Sequence, residues 1–398
     1  MNSELIRNDF PILKTKVGGH QIVYFDNAAT TQRPLPVVNA VLDYTTHENG
    51  NPHRGAHIFA ISASEAYDTS KEVVRDFIHA RSEKEIIYTR NTSESLNLVA
   101  RSYGETHLKA GDHILITIAE HHSNLVTWQR VAQKTGATLD YIYVDKETGH
   151  FPEEELKKID DPRVKLFAFA EVSNVLGIDF DPKPLIQRAH AHGAIVVLDG
   201  AQSTPHKPVD VQDLDCDFFA FSGHKMCSMG GIGVLYGKEE LLNDMEPFLM
   251  GGDMIEDVHE QETTYAELPA KFEAGTQYVE GAVSLVAAIR YVQAIGFDEI
   301  RAQEKRLVTR CLEGMKKLPF IHIIGPTDPE EKEGLVAFEV EGVHPHDVAQ
   351  ILSAEGICIR TGHHCAQPLH IYLGINASCR ASFYFYNTRE DVDRWLEA

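Results

Sequence analysis

From about residue 85 to residue 240, short apolar runs alternate with segments of helical spacing. The apolar runs carry hydrophobic side chains at consecutive positions, which is typical of strands buried on both faces. Such strands, separated by helices, indicate a parallel sheet covered by helices on both sides. The predicted strands include IIYT (86–89), HILITI (113–118), KLFAFAEV (165–172), AIVVLDG (194–200) and DFFAF (217–221).

A different pattern begins near Gly296, with helical segments and fewer, more widely spaced strands. We predict strands at GLVAFEV (334–340), CIR (358–360) and the alternating RASFYFY (380–386), and a helix from His346 to Glu355. These elements predict a smaller α+β domain, on which we expect the opening helix of the chain to pack. The predicted division is a large domain at 21–296 and a small domain made of 1–20 and 297–398.

Polar residues follow the apolar runs of the first region, at the point where each predicted strand ends. In an open α/β sheet, ligands bind beyond the carboxyl ends of the strands. We therefore expect one pocket to collect these groups, which are Asn91–Glu94, His121–Asn124, Ser173–Asn174, Asp199–Gln202 and Ser222–Lys225.

The composition narrows the classes of partner. The chain has 398 residues and a formal net charge of -22, so we expect neither nucleic acid nor a membrane surface as a partner. The start of the chain lacks a signal-peptide pattern, which favours a cytoplasmic protein. The six cysteines are scattered without a C-x-x-C pair, and no regular Cys/His spacing indicates a metal site.

Lys225 and Asp199 suggest a cofactor site. Lys225 lies in FSGHKM after an apolar strand, and burial lowers the pKa of a lysine and makes its amine available for a Schiff base. Asp199 ends AIVVLD, where a buried carboxylate needs a partner such as a protonated pyridine nitrogen. Gln202 is placed to bond the ring oxygen. A surface lysine and a helix-capping aspartate are the alternatives.

The remaining polar groups suit the other parts of such a cofactor. Thr92 and Ser93 begin a predicted helix, whose free N–H groups favour an anion, although ordinary capping explains them as well. Ser222 and His224 add donors for a phosphate. His121 suits stacking on the ring and proton exchange near neutral pH.

Cys365 is the one cysteine in a basic, polar loop, RTGHHCAQPL. Histidines and Arg360 near a thiol favour the nucleophilic thiolate. Arg380 opens RASFYFY, where a guanidinium can grip a substrate carboxylate with two parallel hydrogen bonds; a surface arginine is equally compatible with the local sequence.

Nine motifs occur in order along the chain: YFDNAATTQRP, NPHRGAH, EHHSNLV, VSNVLG, LDGAQSTPH, SGHKM, FEAGT, RTGHHCAQPL and RASFYFYNT. Together they resemble the Suf-type, NifS-like cysteine desulfurases, which are fold-type I pyridoxal-phosphate enzymes close to the class V aminotransferases. The match runs from about residue 8 to residue 390.

The resemblance implies a large domain with a mainly parallel seven-stranded sheet, pyridoxal 5'-phosphate as cofactor, and a homodimer. It implies that L-cysteine is converted to L-alanine, that Cys365 carries the sulfur as a persulfide, and that an acceptor of SufE or SufU type receives it for iron–sulfur cluster assembly. By this resemblance Lys225 would hold the cofactor and move the proton, and the ring would be contacted by Asp199, Gln202 and His121. The phosphate would be bound by Thr92, Ser93, Ser222 and His224, with Thr276 from the second subunit. The substrate carboxylate would be bound by Asn174 and Arg380, and the entrance would be lined by Arg360, His53 and Arg54.

The chain departs from the family pattern at three places: Cys227–Gly231 after the lysine, Gln277 after FEAGT, and Thr127 in EHHSNLVT.

The alternatives to a cysteine desulfurase are selenocysteine lyase, with L-selenocysteine as substrate, another pyridoxal-phosphate reaction such as desulfination or transamination, and an inactive assembly scaffold. HPHD (344–347) is explained by a helix cap, and the sharper hypothesis is that His344 or His346 contacts an acceptor that carries zinc.

Overall fold

The computed structural model describes residues 3–398. Its helices are α1 Ser3–Arg7, α2 Leu35–His47, α3 Ile58–Ile78, α4 Thr92–Val99, α5 Glu105–His107, α6 Val126–Thr135, α7 Glu153–Leu156, α8 Pro182–Ala191, α9 Val211–Leu214, α10 Glu239–Asp244, α11 Val279–Ile295, α12 Phe297–Met315, α13 Pro345–Ala354, α14 Gln367–Leu373 and α15 Arg389–Glu397. Its strands are β1 Lys16–Val17, β2 His20–Gln21, β3 Val23–Tyr24, β4 Ile86–Thr89, β5 His113–Thr117, β6 Thr138–Ile142, β7 Val164–Ala170, β8 Ile195–Asp199, β9 Phe218–Ser222, β10 Gly233–Gly237, β11 Ile255–Val258, β12 Thr263–Tyr265, β13 Ile321–Ile324, β14 Leu335–Val340, β15 Ile357–Cys358, β16 Arg360–Gly362 and β17 Ser378–Ser382.

The main sheet has seven strands in the order β4-β10-β9-β8-β7-β5-β6. The pairs from β9 through β6 are parallel, and β10 runs antiparallel to both of its neighbours. The predicted mixed α/β fold with a mainly parallel seven-stranded sheet is confirmed. Apart from the edge strand β6, its strands are buried on both faces because helices cover both sides, which explains why the sequence shows continuous apolar runs.

A second, four-stranded sheet has the order β13-β14-β17-β16 and packs against α12 and α15. Arg360 on β16 pairs directly with Arg380 on β17. The division at 21–296 stays a prediction, and β3 pairs in parallel with β15 of the C-terminal region. The opening helix contacts that region too, since Arg7 donates to the main-chain oxygen of Tyr386 at 3.1 Å.

The predicted strand RASFYFY is wrong in its second half. Strand β17 ends at Ser382, and the four aromatic residues 383–386 continue as fully buried, irregular chain. The sequence pattern predicts an alternating strand, but every ring in this segment packs in the core, so exposure does not alternate along it. The predicted strand 358–360 is also divided in the structure, between β15 and β16.

Among residues 3–398, no single helix has the length and apolarity needed to cross a membrane, and one bent pair, Val279–Ile295 with Phe297–Met315, meets that test when taken together.

Candidate active site

One cavity of about 180 Å³ lies beyond the carboxyl ends of the main-sheet strands. It brings together most of the residues that the sequence predicts for the site, from both the main sheet and the four-stranded sheet. These are Thr92, Ser93, His121, Asn174, Asp199, Gln202, Ser222, His224, Lys225, Arg360 and Arg380. The occurrence of polar residues directly after each predicted strand therefore located the pocket correctly.

Lys225 lies on a short 3-10 turn, Gly223–Lys225, directly after β9. Within residues 3–398, its Nζ has no hydrogen bond or ion pair. Burial lowers the pKa of Lys225 to about 8, with Asp199 opposing the shift. A substantial fraction of this amine is therefore neutral near physiological pH and able to act as a nucleophile or a base.

Asp199 ends β8 and is 5% exposed. Burial raises the pKa of Asp199, and the N–H of Ala201, which donates to it at 2.9 Å, opposes the rise. Glu120, which interacts electrostatically with Asp199, is fully buried, and burial raises the pKa of Glu120 to about 8 although Thr117 and Asn124 donate hydrogen bonds to it. Within residues 3–398, the Asp199 carboxylate accepts a hydrogen bond from Ala201 and has no ion pair, so it is available to a cationic partner from outside the chain.

The start of α4 supplies hydroxyl and main-chain donors. The N–H of Thr92 donates to Ser222 Oγ at 2.8 Å, and the Thr92 hydroxyl lies 2.7 Å from the same atom. The Ser93 hydroxyl contacts Ser123, a cavity residue that lies within the predicted group His121–Asn124. Asn91 caps the helix through its side chain, so Thr92 and Ser93 form the first turn, where an anion is favoured.

Two histidines of the cavity are neutral. Burial lowers the pKa of His121 to about 3, with Lys225 adding to the shift, and burial lowers the pKa of His224 to about 4. The main-chain N–H of Ser123 donates to His121 Nδ1 at 3.1 Å, which leaves the proton on Nε2. His121 is therefore a neutral ring at a cavity wall, suited to stacking on an aromatic cofactor.

Arg380 is 2% exposed and enters the cavity from β17. Its Nη1 donates to the main-chain oxygen of Asn174 at 2.9 Å, and its Nη2 lies 3.4 Å from Asp26. Burial lowers the pKa of Arg380 to about 10, so it stays charged. Asp26 follows the YF of a motif but gives no local signal of this contact, because the two residues are 354 positions apart.

Cys365 lies in a turn between β16 and α14, beside the cavity. The Nη2 of Arg360 lies 3.8 Å from its sulfur. His364 and Cys365 both have positive φ angles, 49° and 59°. The N–H of His122 donates to the Cys365 oxygen at 2.6 Å, and Asn174 Nδ2 donates to the His364 oxygen at 2.7 Å.

In the other five cysteines, burial raises the pKa of the thiol. Those thiols are held in the protonated form, which is a poor nucleophile. Cys365 is partly exposed and lies beside a guanidinium.

Besides Cys365, which lies beside the cavity, three predicted site residues lie outside this chain's own cavity. Thr276 is exposed in a separate groove near Gly231 and Gln277. His53 contacts Asp68 at 3.1 Å, and Arg54 pairs with Asp253.

The loop that carries Thr276 is anchored by Glu273. This buried carboxylate pairs with Lys71 and accepts hydrogen bonds from the Tyr67 hydroxyl and the Tyr88 N–H, each at 2.7 Å.

The residues of the cavity fit pyridoxal phosphate. The set combines a buried amine without a partner, a buried carboxylate with one N–H donor, and hydroxyl donors at a helix start. These are the groups that an aldehyde, a protonated pyridine nitrogen and a phosphate need.

Comparison with known proteins agrees with this geometry. The family model Aminotransferase class-V matches residues 23–395, so the chain belongs to the class-V aminotransferase family, whose cofactor is pyridoxal phosphate. A probable cysteine desulfurase of Halalkalibacterium halodurans is 49% identical over 99% of this chain and 96% of its own length.

Two solved structures extend the similarity. The apo structure of a cysteine desulfurase from Thermococcus onnurineus NA1 has a TM-score of 0.93 at 44% identity, covering 99% of this chain and 96% of its own. The cysteine desulfurase CsdA of Escherichia coli, in an S-sulfonic acid form, has a TM-score of 0.90 at 37% identity, covering 100% and 97%. Within its family, the chain groups with the cysteine desulfurases.

Proposed function

We propose that this cysteine desulfurase takes sulfur from free L-cysteine, releases L-alanine, and holds the sulfur as a persulfide on Cys365. The observation that supports this most directly is the placement of Cys365 beside Arg360, next to a cavity that contains the unpaired amine of Lys225. A transaminase site needs the amine but has no use for the thiol.

When bound, pyridoxal phosphate supplies an aldehyde carbon for an amine and a ring that takes up the negative charge left by a departing α-proton. Lys225 is the residue to hold it and then to carry the α-proton, because its amine is partly neutral at working pH. Asp199 would hold a positive charge on the ring nitrogen, Gln202 would bond the ring oxygen, and Thr92 with Ser222 would bond the phosphate.

The substrate carboxylate is bound by Arg380 and Asn174. Arg380 is already oriented by its bond to the Asn174 oxygen, and its remaining N–H groups are available for a planar carboxylate. Arg360 lies across the strand pair from Arg380 and adds positive charge between the carboxylate and the thiol.

The sulfur transfer is a displacement at the substrate sulfur. The Cys365 thiolate forms the new S–S bond while the bond between the substrate sulfur and its β-carbon breaks, and the electron pair of that bond stays on the carbon. A proton then completes L-alanine. Because Arg360 is 3.8 Å from the sulfur, it stabilises the attacking thiolate.

The test is the production of L-alanine and sulfide from L-cysteine with a small thiol reductant. We expect equal amounts of both from the wild type and very little of either from Cys365→Ala. Cys358→Ala is the matched control, since Cys358 is also partly exposed but lies on β15. Full activity of Cys365→Ala refutes the persulfide role. Running the same assay with L-selenocysteine measures how far selenium chemistry accompanies the reaction.

The second proposal is a homodimer in which Thr276 contacts the phosphate in the partner's cavity and His53 and Arg54 border its entrance. Support comes from their exposure outside this chain's own cavity and from large exposed apolar side chains, among them Ile58 at 67% and Met250 at 64%. Light scattering coupled to gel filtration tests the dimer. Pairing a Lys225→Ala subunit with a Thr276→Ala subunit tests site sharing. The Lys225→Ala cavity is inactive in this pair and the other cavity keeps Thr276 from its partner, so full cofactor retention there supports the arrangement.

The third proposal is that this Suf-type cytoplasmic enzyme passes its persulfide to an acceptor of SufE or SufU type for iron–sulfur cluster assembly. His344 and His346 are exposed, with their rings stacked at 5.3 Å, and His346 Nδ1 lies 3.4 Å from the Thr361 hydroxyl on the strand leading to Cys365. We expect His344→Ala or His346→Ala to slow sulfur transfer to the acceptor more than L-alanine formation with a small reductant. Equal effects on both reactions refute an acceptor contact.

A further inference from the structure

A chain of buried polar groups runs beneath the Cys365 turn. His364 is 3% exposed and lines the cavity. Its Nε2 lies 3.0 Å from the Ser378 hydroxyl, which lies 2.9 Å from His370 Nε2, and His370 Nδ1 lies 3.0 Å from the Ala366 oxygen.

The direction of each hydrogen bond in this chain follows from its fixed end. A carbonyl oxygen only accepts, so His370 Nδ1 carries a proton. Burial lowers the pKa of His370, which favours the neutral ring, and the Nε2 of a neutral ring with its proton on Nδ1 accepts from the Ser378 hydroxyl. That hydroxyl has a single proton, so its oxygen accepts from His364 Nε2.

The far end of the chain is therefore a lone pair on His364 Nδ1. Burial lowers the pKa of His364 to about 2, with Arg380 adding to the shift, so this ring is neutral as well. Among residues 3–398, the His364 Nδ1 atom is buried and has no hydrogen-bond partner.

Arg380 has an unsatisfied donor that matches this unsatisfied acceptor. Its Nε–H is a buried donor without a partner in the same described part of the chain. Ser378 and Arg380 are two residues apart on β17, so both side chains lie on the face of the strand that His364 contacts. Asn174 connects the two groups a second time, because it accepts from Arg380 Nη1 and donates to the His364 oxygen.

We propose that His364 is a positioning residue for Arg380: when the carboxylate of the substrate engages the guanidinium, Nε–H of Arg380 donates to Nδ1 of His364. This rests on the proposed binding of L-cysteine through Arg380. The His364–Ser378–His370 chain fixes the tautomer that makes Nδ1 an acceptor. A neutral imidazole orients the guanidinium without cancelling its charge, whereas a carboxylate in the same place would compete with the substrate for it.

Two substitutions of His364 separate its two nitrogens. An asparagine side chain puts an acceptor near the Nδ1 position, and a glutamine puts its amide near the Nε2 position, where it bonds Ser378 but not Arg380. We expect His364→Gln to raise KM for L-cysteine by about tenfold or more, the loss typical of a hydrogen bond to a charged group, and His364→Asn to raise it less. Ser378→Ala should also raise KM, because it releases the tautomer. Ser102→Ala is the matched control, since Ser102 is a buried hydroxyl without a partner.

The specific readout is discrimination between L-serine and ethanolamine as competitive inhibitors of L-cysteine turnover. The two share an amine and a hydroxyl and differ by the carboxylate. We expect His364→Gln to weaken L-serine alone, so that the ratio of the two inhibition constants approaches one, with cofactor absorbance unchanged. Equal weakening of both inhibitors, or equal effects of Gln and Asn, refutes the positioning role. Absence of L-cysteine turnover in the wild type would instead refute the proposed function on which it rests.

Discussion

The turn that carries Cys365 is held in place by His122, and removing the His122 ring should slow persulfide formation. His364 and Cys365 are left-handed residues, which cost about 1–2 kcal/mol each outside glycine. Against this stand three hydrogen bonds from outside the turn or at its end: His122 N–H to the Cys365 oxygen, Asn174 Nδ2 to the His364 oxygen, and Gln367 N–H to His122 Nε2 at 3.0 Å.

At about 0.5–1.5 kcal/mol each, these bonds nearly balance the cost of the turn, which amounts to about 2–4 kcal/mol. The observed conformation of the turn is therefore only marginally stable, and losing about 1 kcal/mol of hydrogen bonding lowers the population of this conformation by roughly fivefold. His122→Ala removes the bond from Gln367 and leaves the main-chain bond in place. We expect the single-turnover rate of L-alanine formation to fall by about fivefold, with cofactor absorbance unchanged.

His122→Gln should recover much of the rate, because its amide oxygen lies near the former Nε2 and accepts from Gln367. His107→Ala is the control, as His107 contacts Asp244 away from the cavity. A rate for His122→Ala within experimental error of the wild type refutes the claim that hydrogen bonds only just offset the backbone strain of the Cys365 turn.

The same contact predicts a pH effect. Burial lowers the pKa of His122, with His363 adding to the shift, so the closed turn favours the neutral ring. The contribution of the hydrogen bond between Gln367 and His122 to the closed turn is complete above the ordinary histidine pKa of about 6.5 and is lost as the pH falls below it. The advantage of the wild type over His122→Ala should shrink in acid, and an advantage that grows there contradicts the assignment.

Three further predictions concern the scaffold. Glu273→Gln leaves Lys71 buried without a counter-ion and should destabilise the protein by about 3–5 kcal/mol, and adding Lys71→Met should restore part of this in urea unfolding; a double variant no more stable than the single one contradicts it. Gly233→Ala places a Cβ 2.5 Å from Cα of Asn91 and should weaken cofactor retention in dialysis, since the start of α4 must move. A hydrogen bond to the buried Asp217 raises the pKa of His190. The stabilisation of the protein by protonated His190 is therefore complete below about pH 6.5 and is lost as the pH rises through the folded-state pKa. The unfolding free energies of wild type and His190→Ala should converge above that pKa.

The sequence indicated the main sheet well because its strands are local and buried on both faces. Strand β4 coincides with IIYT, and α4 begins at Thr92 as the cofactor hypothesis required. The cavity followed from one rule, that polar residues after parallel strands meet at one edge of the sheet. That rule needs no knowledge of strand order, which here is far from sequential.

The contacts that orient the site were beyond the sequence because they join distant positions. Asp26 meets Arg380 across 354 residues, and His122 meets Gln367 across 245. His364 was visible only as a neighbour of Cys365, and nothing local distinguishes a buried, neutral histidine from an exposed, titrating one. The buried aromatic run after Ser382 was misassigned for the same reason, since its burial depends on helices elsewhere in the chain.

Burial gives this site a particular division of charge. The cavity contains three imidazoles, those of His121, His224 and His364, and burial lowers the pKa of each far enough to keep it neutral. Positive charge toward the substrate therefore comes mainly from Arg360 and Arg380, one facing the thiol and one facing the carboxylate-binding position. Titrating histidines would add charge that varies with pH and would repel the guanidinium groups. Neutral rings leave the positive charge of Arg360 and Arg380 unopposed, so the attraction of these two guanidinium groups for the substrate carboxylate does not depend on histidine protonation.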